Sequence, residues 1–373
     1  MSLLNLNKDG KDYLFLGEQL GLQDYITVKY TQLEELALRQ RSQFWLETEI
    51  PLHKDIAQWP ELPKEYQELC IKNLAFQVLG DSLAGRIPGT VLTALCSNEE
   101  LEGLIVQIGY FESLHSRSYT HIIKSVMPDA ERAIKDEIRN NPFVSRRVAP
   151  IATVFDELYE KGLKYQLTRD TMGLVEKMTI EGELRVLLVK AYFALYFLEA
   201  VLFYTSFAQN FGLANQDILQ GIANILTLII KDEFLHANAD LAILGILAVE
   251  WPEEYAQVVA SKYPELLAKE IMEIEAGWAD YSLGDTVMVG LSAPILKKYS
   301  KFVMSEALKP LKITLKELED APKTNPIPWV DKFINLAALQ VAPQETQILS
   351  YRVGAIEMQS DEELQHTVDE WLK

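Results

Sequence analysis

FESLHSRSYTHII, residues 111–123, sets Glu112, His115 and Tyr119 three and four positions apart in a stretch otherwise suited to a buried helix. At that spacing the three side chains share one helical face. An ionised carboxylate and an imidazole are buried only when they are paired with each other or bound to a metal. The plain reading is a satisfied polar cluster in a core. The chemical reading is half of a metal site with a tyrosine beside it, and the rest of the chain decides between them.

Working outward, the ExxH spacing of Glu112 and His115 occurs again at Glu233 and His236, and at Glu363 and His366. With only five histidines, chance supplies about half of one such motif, so the spacing alone is weak. Context separates the three. LIVQIGYFESLH and ILTLIIKDEFLH are apolar helices, whereas DEELQHTVDEW is acidic and leaves Glu363 and His366 to solvent, so that pair is set aside. Upstream of each buried motif stands another carboxylate on an apolar helix: Asp81 in LAFQVLGDSLAG, 31 residues before Glu112, and Glu199 in FLEAVLFYTSFA, 34 residues before Glu233. One carboxylate from each of two helices and an ExxH from each of two others is the arrangement of ferritin-like di-iron and di-manganese bundles. Four carboxylates and two imidazoles balance two divalent cations and leave coordination positions open. Asp232, beside Glu233, is placed to accept the far ring proton of a ligand histidine.

Tyr119 follows His115 by four residues, and helical side chains lean toward the N-terminus, so its phenol points back at the expected metal position. Phe203, Phe207 and Ile229 fall on the faces that flank it and offer an inert wall, suited to a stored oxidised species and equally to a packed core.

The bulk properties agree with a folded protein that carries such a site. In 373 residues, 49% are hydrophobic, enough for a large core. The net charge of -19, without a basic block, disfavours a nucleic-acid partner. Cys70 and Cys96 form no zinc cluster and no disulfide framework, and the MSLLNLNKDG start lacks a signal-peptide pattern, so a cytoplasmic protein is expected. The run AYFALYFLEAVLFYTSFA, residues 191–208, approaches a membrane span in length, but Glu199 at its middle makes a core helix the better reading. Periodicity near 3.6 along most of the chain predicts an all-α fold. Breaks are expected at Trp59–Pro63, Asn98–Glu100, Met127–Asp129, Asn140–Pro142, Trp251–Pro252 and Ala321–Pro328. Residues 1–341 are expected to form the helical domain, a ferritin-like bundle with additional helices around a four-helix di-metal core, and residues 342–373 an acidic tail with its own partner.

In the chain order DSLAGR, SLHSRSYTHII, FLEAVLFYTSFA and KDEFLH, these motifs resemble those of the small (beta) subunit of class I ribonucleotide reductase, over most of the chain. The resemblance implies that Asp81, Glu112 and His115 bind one metal and Glu199, Glu233 and His236 the other. The implied metals are two iron ions, with a manganese pair or a manganese–iron pair as the alternatives, joined by an oxygen-derived bridge. It further implies that oxygen chemistry there oxidises Tyr119 to a stored radical, and that Trp45, Asp232 and His115 begin a radical-transfer route ending at Tyr351. Glu49 matches a position near the subunit interface, and Val368, Trp371 and Leu372 become a peptide that docks on the large (alpha) subunit. A homodimer is implied too. Lys231, where many relatives carry Arg, and Phe234 depart from the usual pattern without removing a ligand. No phosphate loop or redox cysteine pair is seen, so nucleotide reduction is expected on the other chain. A stand-alone di-metal oxidase or desaturase, and ferritin-type metal storage, are the alternatives; the tail and Tyr119 argue against the first and the chain length against the second.

Overall fold

The computed structural model describes residues 4–286 and 288–334. The chain divides into two units, Met1–Ile334 and Asn335–Lys373. The second lies outside the described residues, and with it Tyr351, Glu363, His366, Val368, Trp371 and Leu372.

Among the described residues there are helices and two isolated β-bridges, Phe15 with Cys96 and Met288 with Leu291, but no strand. Four helical segments carry the candidate ligands. Lys64–Ala84 holds Asp81, and Glu99–Val126 holds Glu112, His115 and Tyr119. Leu174–Phe197, a π-helical turn Leu198–Leu202 and Phe203–Ala214 make one run with Glu199 in the π turn. Gln220–Glu250 holds Asp232, Glu233 and His236. The first two segments pack on each other, as do the last two, and the Asp81 helix also packs on Phe203–Ala214.

Local chemistry explains where these helices start. Asn98 accepts the Leu101 N–H at 2.9 Å, and Glu99, Glu100 and Glu102 fill the first turn, where the helix dipole favours negative charge. Two of those acids also tie down the N-terminal segment. Glu100 accepts the Lys29 and Tyr30 amides, each at 2.7 Å, and Glu99 accepts from Lys8 Nζ at 2.8 Å and the Gly21 amide at 2.7 Å. Gln220–Glu250 starts without a cap of its own. Asp55, from a preceding helix, accepts the Gly221 and Ile222 amides at 3.1 and 2.6 Å. A side chain at residue 221 would crowd Asp55, Leu52 and the Pro51 carbonyl, all at 2.9 Å, so glycine is needed for this approach.

Leu174–Ala214 is long and apolar enough to cross a membrane by length and composition, yet 83% of its most apolar window is buried inside the protein. It is the core helix that Glu199 suggested. The expected breaks fall where anticipated: Met127 ends the helix at Val126, Asn141 separates two helices, and Trp251 precedes a 114° bend into Pro252–Ala260. The π turn was not anticipated. It is held from below by Arg147, itself fully buried, whose Nη2 donates to the Leu202 carbonyl at 2.9 Å while Nε and Nη2 pair with Glu275 at 2.7 and 3.0 Å. The guanidinium lies 3.5 Å from the Phe76 ring centroid and 4.5 Å from that of Trp278. π turns recur at functional sites because the extra residue re-aims the side chain it carries, here Glu199. Cys70 and Cys96 are buried free thiols.

Candidate metal centre

All six candidate ligands converge in the interior, none more than 2% exposed. His115 Nδ1 stands 3.3 Å from Glu233 Oε1, 3.8 Å from Asp81 Oδ2 and 3.9 Å from Glu112 Oε2. His236 Nδ1 stands 2.9 Å from Glu112 Oε1 and 3.1 Å from Glu233 Oε2. The imidazole centroids are 5.9 Å apart. Two overlapping donor groups result, each with its donor atoms within 4.8 Å of one another: Asp81, His115 and Glu233; and Glu112, Glu199, Glu233 and His236. The halves read from the sequence therefore interlock. Glu233, which the resemblance assigns to the second metal, reaches the first histidine, and Glu112 reaches the second. These two carboxylates stand between the positions, with Asp81 and Glu199 at the ends.

The electrostatics are those of a negative cavity. Burial, followed by the charges of Glu233 and Glu112, pushes the Asp81 and Glu199 carboxyls well above the ordinary range, and burial with Glu233 raises Glu112. Against its own burial, Glu233 is held below that range by the His115 and His236 rings. Burial disfavours both imidazolium ions, but the carboxylates prevail: His115 is raised well above its usual value and His236 to about 10. Without other cations, protons must therefore supply the positive charge. Among the described residues, neither oxygen of Asp81 nor Glu199 Oε2 has a hydrogen-bond partner of ordinary length. Such orphaned buried carboxylate oxygens cost about 1–3 kcal/mol each or more, and an all-oxygen-and-nitrogen donor set of four carboxylates and two imidazoles fits two divalent cations of the iron or manganese type.

Around this cluster lie the other predicted residues. Asp232 Oδ2 meets His115 Nε2 at 3.1 Å and accepts Trp45 Nε1 at 2.8 Å, while the Trp45 and His115 rings lie 6.2 Å apart at 19°. The three residues proposed from the resemblance are thus in one hydrogen-bonded line. Sequence reading missed Gln40, whose Nε2 donates to Asp232 Oδ1 at 2.8 Å and fixes the carboxylate's second oxygen. The signal was present, since Leu33, Ala37 and Gln40 form the one buried stripe of the otherwise polar helix Thr31–Ser42. Tyr119 is fully buried and its hydroxyl has no hydrogen-bond partner of ordinary length. Burial, then the charges of Asp81 and Glu233, raises its pKa well above that of a free phenol. Phe203, Phe207 and Ile229 are completely buried, with the two phenyl rings stacked at 5.9 Å. Glu49 is exposed and accepts the Leu46 amide at 3.1 Å. A surface cavity of about 330 Å³ lined by Glu157, Lys161, Glu183 and Lys190 includes none of the cluster.

Comparison with known proteins agrees with this geometry. The family model described as "Ribonucleotide reductase, small chain" matches residues 23–316. The ribonucleoside-diphosphate reductase 1 subunit beta of Salmonella typhimurium is 33% identical over 362 residues, covering 95% of each chain, and the subunit beta of Enterobacteria phage T4 is 30% identical over 366 residues, covering 94% of each. Among solved structures, the R2 subunit from Clostridium botulinum superposes with a TM-score of 0.74 at 20% identity, over 89% of this chain and 98% of that one. The dimanganese(II)-NrdF of Streptococcus sanguinis gives 0.64 at 21% identity, over 83% and 98%. The helical fold and the sequence lead to the same assignment: this chain belongs to the ribonucleotide reductase small-chain family.

Proposed function

We propose that this chain is the radical-generating small subunit of an aerobic ribonucleoside-diphosphate reductase, with two metal ions held by Asp81, Glu112, His115, Glu199, Glu233 and His236. The observation that carries the proposal is the convergence of these six buried donors beside a buried tyrosine. When bound, an iron or manganese pair supplies one-electron oxidising power drawn from molecular oxygen, which amino-acid side chains lack. Glu112 and Glu233, set between the two histidines, would hold such a pair together with Asp81, Glu199, His115 and His236.

The protein's own contribution is placement and exclusion. Oxidation of Tyr119 would pass one electron to the bound, oxidised metal pair and release the hydroxyl proton, toward which the Asp81 carboxylate supplies the leading negative charge. Once formed, the neutral phenoxyl is kept from reductants because Tyr119 has no exposed surface. For delivery, Trp45 is the next oxidisable ring. Asp232 accepts both its indole N–H and the far nitrogen of His115, so a proton held between them can shift as an electron passes. Gln40 fixes Asp232 in the orientation that serves both.

The remaining parts of the proposal concern the partner. A small subunit of this family works with a large subunit, and we place the contact in the tail, with Tyr351 as the last radical carrier and Val368, Trp371 and Leu372 as the docking side chains. A homodimer in the cytoplasm completes the reading. Iron and manganese are served by the same donor set, and metal analysis decides between them. The test is electron spin resonance of the purified chain loaded with either metal under air. A tyrosyl signal is expected in the natural protein and none in Tyr119→Phe, whose reductase activity with the large subunit should fall to background. Retention of both by the variant would sink the assignment.

A further inference from the structure

Among the buried polar atoms of the described residues that have no hydrogen-bond partner are His236 Nε2, Asp240 Oδ2 and the Tyr192 hydroxyl. Their residues are 2%, 5% and 2% exposed. His236 and Asp240 stand one turn apart on Gln220–Glu250, on one face of that helix, with no direct hydrogen bond between them. His236 presents Nδ1 to Glu112 and Glu233, so Nε2 is the nitrogen that faces away from them. Tyr192 comes from Leu174–Phe197, which packs on the same helix. After burial, Asp240 is the leading charge acting on its hydroxyl, and His236 is the charge that opposes the burial of Asp240.

Left apart, three such groups cost about 1–3 kcal/mol each; joined to one another they lose that penalty together. The other imidazole of the cluster already has the corresponding arrangement, with His115 Nε2 on the carboxylate of Asp232. Ligand histidines are commonly oriented in this way, because a carboxylate on the far nitrogen fixes the ring and raises its basicity.

We propose that Asp240 is the positioning carboxylate of His236, accepting from its Nε2–H on one side and from the Tyr192 hydroxyl on the other, directly or through one buried water. This rests on His236 being a metal ligand. It gives the two imidazoles different surroundings: that of His115 continues to Trp45, while that of His236 ends at a buried tyrosine.

With only five histidines in the chain, ¹⁵N-histidine labelling of the metal-free protein resolves each ring. The His236 Nε2–H proton should appear far downfield and exchange slowly. Asp240→Leu should abolish that resonance, leave that of His115 in place, and weaken one of two Mn²⁺ sites by about 10–100-fold. Asp240→Asn, which keeps an acceptor, should restore most of both, and Tyr192→Phe should shift the His236 resonance without removing it. An unchanged His236 resonance with unchanged Mn²⁺ binding in Asp240→Leu overturns the proposal. If Asp240→Leu fails to fold, an unshifted His236 resonance in both Asp240→Asn and Tyr192→Phe does the same. Absence of Mn²⁺ binding in the natural protein would instead fault the metal reading, with the resonance still reporting on the hydrogen bond.

Discussion

Removing one partner of the Arg147–Glu275 pair should be among the most damaging changes available outside the metal centre. Both side chains are buried to within 1%, and the guanidinium is bound by two contacts to Glu275, by the Leu202 carbonyl, by Thr205 Oγ1 at 3.1 Å and by two aromatic faces. Burial alone lowers the Arg147 pKa, and Glu275 opposes that. Breaking a pair of this type strands an uncompensated buried charge, at about 3–5 kcal/mol, a large share of a total stability of about 5–15 kcal/mol. Arg147→Met and Glu275→Met should therefore each shift the urea midpoint of the metal-free protein down by about 1–2 M at unchanged slope. The double variant Arg147→Met/Glu275→Met leaves no stranded charge and fills much of the space. It should recover most of the loss, a coupling of about 2 kcal/mol or more in a double-mutant cycle. Additive single effects, or single effects under about 1 kcal/mol, would refute the view that this pair is a mutually dependent buried unit under the π turn.

Metal affinity should depend on pH through the histidines. Both have raised folded pKa values, so the stability they give the metal-free protein is fully present below their ordinary value of 6.5 and is lost as pH rises toward about 10 for His236. Cations compete with those protons, so affinity should climb over that window with proton release on binding; Glu233, held low, stays ionised throughout and adds no slope. Calorimetry in buffers of different ionisation enthalpy checks this, and pH-independent binding without proton release would contradict it. Two glycines of one helix should respond in opposite directions to alanine. Gly221→Ala, which meets three atoms at 2.9 Å, should cost about 1–3 kcal/mol by overpacking, whereas Gly245→Ala, with open space around it, should stabilise by about 0.5–1 kcal/mol; equal thermal shifts would show that the Asp55 contact is not tight.

The sequence by itself determined the helical class and the breaks at Met127, Asn141 and Trp251, and it singled out the six candidate donors that the fold brings together. Each of these is written locally: in a 3.6-residue period, in Pro and Asn punctuation, or in a charge set into an apolar helix where water cannot satisfy it. Tyr119 was legible for the same reason, as was the choice between the buried ExxH pairs and the acidic one at Glu363. What only the tertiary structure decided is how the pieces meet. Spacing divided the ligands into two halves along the chain, but packing four helices together interlocks them, because Glu112 and Glu233 face each other across the bundle and each reaches the other's histidine. The π turn at Glu199, the Gln40 clamp on Asp232, the borrowed cap of Asp55 on Gly221, and the neighbourhood of Asp240, His236 and Tyr192 are likewise invisible in one dimension. Except for the i, i+4 spacing of His236 and Asp240, they join residues far apart in the chain, which only the close-packed interior brings together.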